Sequence, residues 1–340
     1  MRPIGSALSI ALLFAFLTAC GAANLSPASA PIQPDSVIPQ SLQSFEMRAA
    51  PPHRFVYLAK PKAGVYAAQF YGTTILGYRN GNKSDAKPAC KIGATYVNGF
   101  GVDSTGNLVV PNGYPYVVGV YSGPTLCGKA LGSFSDPYGE PSDAASRDAK
   151  TGTIVVGNIE VGRSQQVGNI AVCTLAAGCT RELKSPTIKY EGGGVALAAN
   201  GDCWMSSEDN PSLTSATLTY FKGCKSPGQA AKGWKNAFYG GLNIDKAGNL
   251  IAVDFNAPSV WVYKGCNPQC TVVGGPFPLE GVSFYGNLNA KGDQLALGDS
   301  SYGQVDVYAY SPAKITYEYS FNKGLVQGND VEAAGFAPGL

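Results

Sequence analysis

The chain has 340 residues, including 43 Gly, 23 Pro, 25 Lys or Arg, 23 Asp or Glu and one His. Only 14% of residues are charged and 45% are hydrophobic, which argues against long solvent-facing helices and against wholesale disorder. A formal net charge of +2 without a basic cluster leaves no footprint for nucleic acid, and a single imidazole restricts His-based catalysis.

At the N-terminus, Arg2 supplies a short positive region and Ile4 to Ala19 an apolar one. The apolar run is too short and wrongly flanked for a stable membrane span, so residues 1–19 read as a signal peptide. It ends in Leu17-Thr18-Ala19-Cys20, which resembles the bacterial lipobox. That resemblance implies a lipidated Cys20 that ties the protein to a membrane surface of the cell envelope. Gly21 after the Cys agrees with outer-membrane sorting in such proteins. Residues 20–52 are rich in Ala, Ser, Pro and Gln without periodicity and read as a disordered tether. His53 falls at the junction with the folded part, expected over residues 53–340.

Five segments then share a hydrophobic stretch, a Gly-containing turn and a second hydrophobic stretch. They are "FGVDSTGNLVVPN", "ASRDAKTGTIVVGN", "GVALAANGDCWMSSED", "LNIDKAGNLIAVDFN" and "GNLNAKGDQLALGDS". The turn glycines Gly106, Gly152, Gly201, Gly248 and Gly292 recur at spacings of 46, 49, 47 and 44 residues. Asp, Asn and Gly there supply the left-handed conformations of tight hairpins. A third apolar strand follows each hairpin, usually ending in an aromatic residue, as in "VVGVY" to Tyr121 and "VDVY" to Tyr308. A fourth, outer strand completes the unit, for example "ITYEYSF". Four antiparallel strands per repeat of about 47 residues describe a β-propeller blade.

The chain ends fix the expected count. "DVEAAGFAPG" repeats an inner-strand half with no second half after it, and "GVYAAQF" reads as a second strand without a clear first. Residues 325–340 therefore supply the inner strand of the N-terminal blade. The expected fold is all-β, a six-bladed propeller closed by its C-terminal strand. The stretch 55–59 is ambiguous, either an added strand or the inner strand itself.

"GVDSTGNLVV" (Gly101 to Val110) and "NIDKAGNLIAVD" (Asn243 to Asp254) resemble the NHL-repeat propellers and, more distantly, the gluconolactonase (senescence-marker-protein) family. The likeness covers about residues 54–340. It specifies fold better than function, since propellers host many activities.

Apart from Cys20, eight Cys remain, an even number suited to disulfides in an exported protein. The blade register pairs Cys173 with Cys179, Cys266 with Cys270, and Cys203 with Cys224. Cys90 and Cys127 lie in adjacent blades, far apart unless the loop "NGNKSDAKPAC" bends, and their pairing stays open.

No nucleophile has an imidazole within the repeats, and H-E-x-x-H is absent. "GPTLCGKA" has phosphate-loop spacing but ends in Ala130 and precedes no helix, which makes the match coincidental. Attention falls on the face where second strands end and first strands begin. Its longest loops place Asn158, Glu160, Arg163, Glu208, Asp209 and Asn210 over one side of the ring. Tyr96, Tyr138, Tyr190, Tyr239 and Tyr285 recur before inner strands, as an aromatic circle around a mouth or as packing between blades. Asp254 and Asp299 sit at strand ends near the channel, where carboxylates hold Ca²⁺ or another divalent cation, or cap turns. The gluconolactonase resemblance implies a divalent metal in such a place. Only Asp254 or Asp299 matches that family's Asp, and its Glu and Asn ligands have no secure counterpart.

The expected function is a membrane-anchored binding or scaffolding module for a protein or carbohydrate ligand. The alternative is a divalent-metal-dependent lactonase. No firm cofactor follows from the sequence.

Overall fold

The computed structural model describes residues 64–79, 86–123, 125–160, 167–212, 214–236, 238–326 and 330–339. The expected signal peptide, Cys20, the tether, His53, the stretch 55–59 and Arg163 lie outside the described residues. Among the described residues no helix is long and apolar enough to cross a membrane.

The described chain forms 24 strands and one short 3-10 turn, Lys222–Cys224. It opens with β1 (Gly64–Gln69), β2 (Thr74–Tyr78) and β3 (Cys90–Gly93). Four antiparallel sheets follow, each of four strands taken in sequence order. The first holds β4 (Gly101–Val102), β5 (Leu108–Asn112), β6 (Val117–Tyr121) and β7 (Ala130–Ser135). The second holds β8 (Pro141–Ser146), β9 (Ile154–Asn158), β10 (Asn169–Thr174) and β11 (Gly178–Leu183). The third holds β12 (Gly192–Leu197), β13 (Cys203–Glu208), β14 (Ala216–Phe221) and β15 (Gln229–Ala230). The fourth holds β16 (Leu242–Ile244), β17 (Leu250–Asp254), β18 (Ser259–Gly265) and β19 (Cys270–Pro278).

The chain ends with β20 (Tyr285–Leu288), β21 (Gln294–Asp299), β22 (Gln304–Ser311), β23 (Lys314–Phe321) and β24 (Val331–Ala337). β24 pairs antiparallel with β1, Val65 facing Phe336, and parallel with β20. It thereby joins β20–β23 and β1–β3 into one eight-stranded sheet. The first strands of successive sheets touch one another, β4 with β8, β8 with β12, β12 with β16 and β16 with β20. β24 lies against β4.

Side-chain alternation explains this stacking. In β9, Ile154 and Val156 join Val109, Val118 and Phe134 of the preceding sheet, whereas Val155 packs with Val195 and Met205 of the following one. In β17, Leu250 and Ala252 meet Trp204 and Leu218, while Ile251 and Val253 meet Leu295 and Tyr308. Both faces of a middle strand are buried, so its sequence reads as an unbroken apolar run.

The hairpin motif fixes each first-to-second strand turn. The Asp103 carboxylate accepts the N–H of Thr105 at 2.9 Å and of Asn107 at 2.8 Å, and Gly106 adopts φ +85°. Asp245 and Gly248, with φ +80°, repeat the arrangement. A Cβ is crowded in that left-handed region, which favours Gly. Gly152 corrects the expectation, because it is not among the residues with positive φ. Its turn is closed instead by Asp148, which accepts the N–H groups of Lys150 and Thr151.

Cys173–Cys179, Cys203–Cys224 and Cys266–Cys270 form disulfides, and so does Cys90–Cys127, with Cα atoms 6.0 Å apart. The last bond ties β3 to the β6–β7 connection of the next sheet. Gly77 opposes Cys90 and leaves room for both sulfurs, and the Cys127 N–H donates to the Tyr66 hydroxyl at 2.9 Å. Four disulfides befit an oxidising compartment.

Candidate functional site

The sheets present two different ends. One carries the hairpin turns between first and second strands. The other carries the second-to-third strand connections and the links between sheets, and the acidic side chains gather there. Glu140 precedes β8, Glu160 follows β9, Glu191 precedes β12 and Glu208 ends β13. Backbone hydrogen bonds bind these segments together: Glu140 N–H to Glu160 O at 3.1 Å, Gly192 N–H to Ile159 O at 2.9 Å, and Glu208 N–H to Glu191 O at 2.8 Å.

Glu208 is fully buried. Its Oε1 accepts the Tyr239 N–H at 2.9 Å, while its Oε2 is buried with no hydrogen-bond partner. Glu191 Oε2 and the Tyr239 hydroxyl share that condition. Burial pushes the Glu208 carboxyl up to about 8, and the charges of Asp209, Glu191 and Asp254 add to the rise. Burial likewise takes Glu140 to about 7, with Glu160 and Glu191 adding to it. Glu191 also reaches about 7 through burial and the Glu160 charge. Tyr190 and Tyr239 act on Glu191 in the opposite direction, although the Tyr239 hydroxyl makes no hydrogen bond of good geometry. Tyr190 itself is raised to about 12, by burial first and then by Glu191. Desolvation and mutual repulsion thus hold several carboxyls near the neutral–ionised balance at physiological pH.

The tyrosines differ in setting. Tyr138 is half-buried against the core that contains Val156 and Ala171. Tyr190 is half-buried beside Glu191. Tyr239 and Tyr285 are 2% and 4% exposed, so they line no open mouth. Their rings fill space left by glycines, Tyr239 lying on Gly193 and Tyr285 on Gly99 and Gly241. Tyr96 is half-buried with its ring 6.2 Å from Phe70, which in turn lies 4.8 Å from Tyr71. Tyr71 and Tyr114 remain 46% and 55% exposed. A Cβ at Gly113 would stand 3.3 Å from both the Tyr96 Cβ and Glu140 Oε1, so this aromatic patch adjoins the acidic group.

The other expected residues are engaged locally. Asn158 Nδ2 donates to Asn169 Oδ1 at 2.7 Å and to Asp136 Oδ2 at 3.2 Å. Asp209 accepts the Thr217 hydroxyl at 2.6 Å and pairs with Lys189 at 3.8 Å. Asn210 accepts the Ser212 N–H at 3.0 Å within its own loop. Asp254 accepts the Ala257 N–H at 3.3 Å. Asp299 accepts the N–H groups of Ser301 and Tyr302 and sits beside Asp306. Among the described residues no three His, Cys, Asp or Glu side chains converge on a point suited to a metal ion.

No family model and no curated protein matches the chain. Solved structures do. A chain from a nidogen–laminin complex aligns over 81% of this chain and 98% of its own, at 15% identity and a TM-score of 0.57. A Bacteroides caccae protein of unknown function aligns over 82% of this chain and 99% of its own, at 11% identity and 0.56. The WD40 β-propeller domain of Doa1 aligns over 77% of this chain and 79% of its own, at 10% identity and 0.50. The fold is a β-propeller.

Tyr285 packs near Asp143, whose Oδ2 accepts the Val195 N–H at 3.0 Å, and Asn287 Oδ1 accepts the Phe336 N–H at 2.6 Å. Asp143, Tyr285 and Asn287 border a cavity of about 60 Å³ lined by the first strands, and at the hairpin-turn end lies a wider one of about 770 Å³ bordered by Arg147, Trp204, Lys246 and Lys264. Both cavities lie toward the end opposite the acidic mouth. Sequence reasoning passed over Glu140 and Glu191, although "PYGEP" and "KYEGG" set a Glu beside the recurring Tyr.

Proposed function

We propose that the protein is an exported six-bladed β-propeller, lipid-anchored at the cell envelope through Cys20, whose acidic mouth is a binding site for a partner. The six-bladed reading is supported by grouping β24 with β1–β3 and by the chain of contacts among first strands that passes from β4 to β20 and from β24 to β4. The observation that carries the binding role is the buried, unpartnered Oε2 of Glu208 within the group of Glu140, Glu160 and Glu191. Such groups cost stability unless something supplies their hydrogen bonds. A chain of similar fold occurs in a nidogen–laminin complex, which agrees with a protein partner.

The metal-dependent lactonase reading rests on resemblance, and its best ligands, Asp254 and Asp299, already accept backbone N–H groups. Thermal melting with Ca²⁺ and with a chelator separates the two readings, and the binding module is expected to melt alike in both. The direct test places a photoreactive amino acid at Tyr190 in the full-length chain in its own cell. Expected is a discrete crosslinked adduct in the envelope fraction, lost when Cys20→Ser releases the protein from the membrane. An adduct that forms only from Lys246, at the opposite mouth, overturns the assignment of the site.

A further inference from the structure

We propose that the acidic mouth and the adjoining tyrosine patch form one docking surface for a basic peptide segment of a protein partner. An arginine or lysine side chain meets the half-buried Glu140 and Glu191, behind which Glu208 is wholly buried, and its neighbours lie along Tyr71, Tyr96 and Tyr114. The inference rests on the mouth being the binding site and adds the chemistry of what it takes.

Three observations carry it. First, negative charge is concentrated there: the ion pairs Lys184–Glu182 and Lys189–Asp209 engage none of Glu140, Glu191 and Glu208. Second, behind the half-buried Glu191 the Oε2 of the wholly buried Glu208 lacks a partner. A guanidinium carries five N–H donors and a positive charge, and it satisfies carboxylate oxygens and compensates them together. A neutral sugar hydroxyl meets only the first need. Third, the surface continues beyond the charge. Tyr71 and Tyr114 are exposed on the same end of the propeller, and Gly113 brings Glu140 against the Tyr96 segment. Tyrosine offers an apolar face to peptide side chains and a π-face to cations. A bare metal ion uses the mouth and leaves this patch idle.

The test measures fluorescence anisotropy of fluorescein-labelled tetra-arginine, with tetra-glutamate as control, against the full chain at pH 8 and physiological salt. The net charge of the chain is +2, so general attraction does not favour the cationic peptide. Expected is saturable binding of tetra-arginine alone, weakened about tenfold or more by Glu191→Gln with Glu208→Gln and about threefold by Tyr71→Ala with Tyr114→Ala. Circular dichroism melting checks that each variant folds, and Glu208→Gln alone is the milder substitute. Equal binding by wild type and the double Gln variant overturns the proposal, as does displacement of the peptide by millimolar Ca²⁺. Where the Tyr190 crosslink forms and tetra-arginine does not compete with it, this inference fails while the binding module stands. Where no crosslink forms, both fail.

Discussion

Glu208 ends β13 with one carboxylate oxygen bound to the Tyr239 amide and the other sealed from water without a partner. Its carboxyl is raised from the ordinary 4.5 to about 8. Between those two values the folded chain holds more protons than the unfolded chain, so stability falls as pH rises through this interval. The contribution is complete below pH 4.5 and is lost as pH passes 8. Asp143, Glu140 and Glu191, each raised to about 7, act in the same direction. The melting temperature is therefore expected to fall between about pH 5 and pH 8.5. Glu208→Gln removes the ionisable group without changing shape, so its melting temperature at pH 8 is expected to be about 2–4 °C above wild type, with little difference at pH 5. Equal melting at pH 8 means that Glu208 is not held against its own ionisation. The same groups give basic-peptide affinity the opposite trend, stronger toward pH 9, because the ligand prefers the ionised form.

The hairpin aspartates do more than close turns. Asp245 accepts the N–H groups of Ala247 and Asn249 with one oxygen, and with the other the Asn249 amide and the Tyr310 hydroxyl of β22, in the adjacent sheet, at 2.9 Å. Asp103 likewise accepts the Ala149 N–H of the next sheet at 2.8 Å. Asp245→Ala is expected to cost about 2–4 kcal/mol by urea unfolding, because several buried donors lose one acceptor. Asp148→Ala, at an exposed turn, leaves the unfolding midpoint near wild type. Loop-closure entropy predicts about 4 kcal/mol for losing Cys90–Cys127, separated by 37 residues, and about 2 kcal/mol for Cys173–Cys179, separated by 6. Comparing the two Cys→Ala double variants checks that order. These elements also show what the sequence discloses. Gly106, Gly201, Gly248 and Gly292 announce the repeat because each turn needs a left-handed residue at one position. The Gly152 turn broke that rule unseen, since Asp148 capping replaces left-handed glycine. Cys90–Cys127 was illegible because it joins neighbouring sheets through Gly77, and no local spacing records that meeting. Glu140 and Glu191 were visible as letters. Their character depends on burial and on each other's charge and that of Glu160, which the fold brings together from different sheets.

β24 connects the two ends of the described chain and supports the acidic mouth as well. It pairs with β1 on one side and β20 on the other, and Phe336 joins Val65, Tyr78, Val307 and Phe321 in one buried cluster. Glu332, in the same strand, is buried near Tyr239 and Tyr285, and burial raises its carboxyl well above the ordinary range. Removing residues 330–340 strips the apolar cluster of one wall and leaves β1 and β20 as unpaired edges, which invites strand-to-strand association. The truncated chain is expected to lose its cooperative unfolding transition and to associate, as read by circular dichroism melting and light scattering. A synthetic peptide of residues 325–340 offers the missing strand in trans and is expected to restore a transition. Phe336→Ala keeps every backbone pair and removes only the wedge, so it is expected to fold with a loss of about 3–5 kcal/mol. Tetra-arginine binding then separates the two roles of the strand. Phe336→Ala retains Glu332 and should bind as wild type does, whereas the truncated chain should not bind until the peptide is added. If the truncated chain melts cooperatively and binds unaided, β24 is an appended edge rather than the strand that unites the first and last sheets.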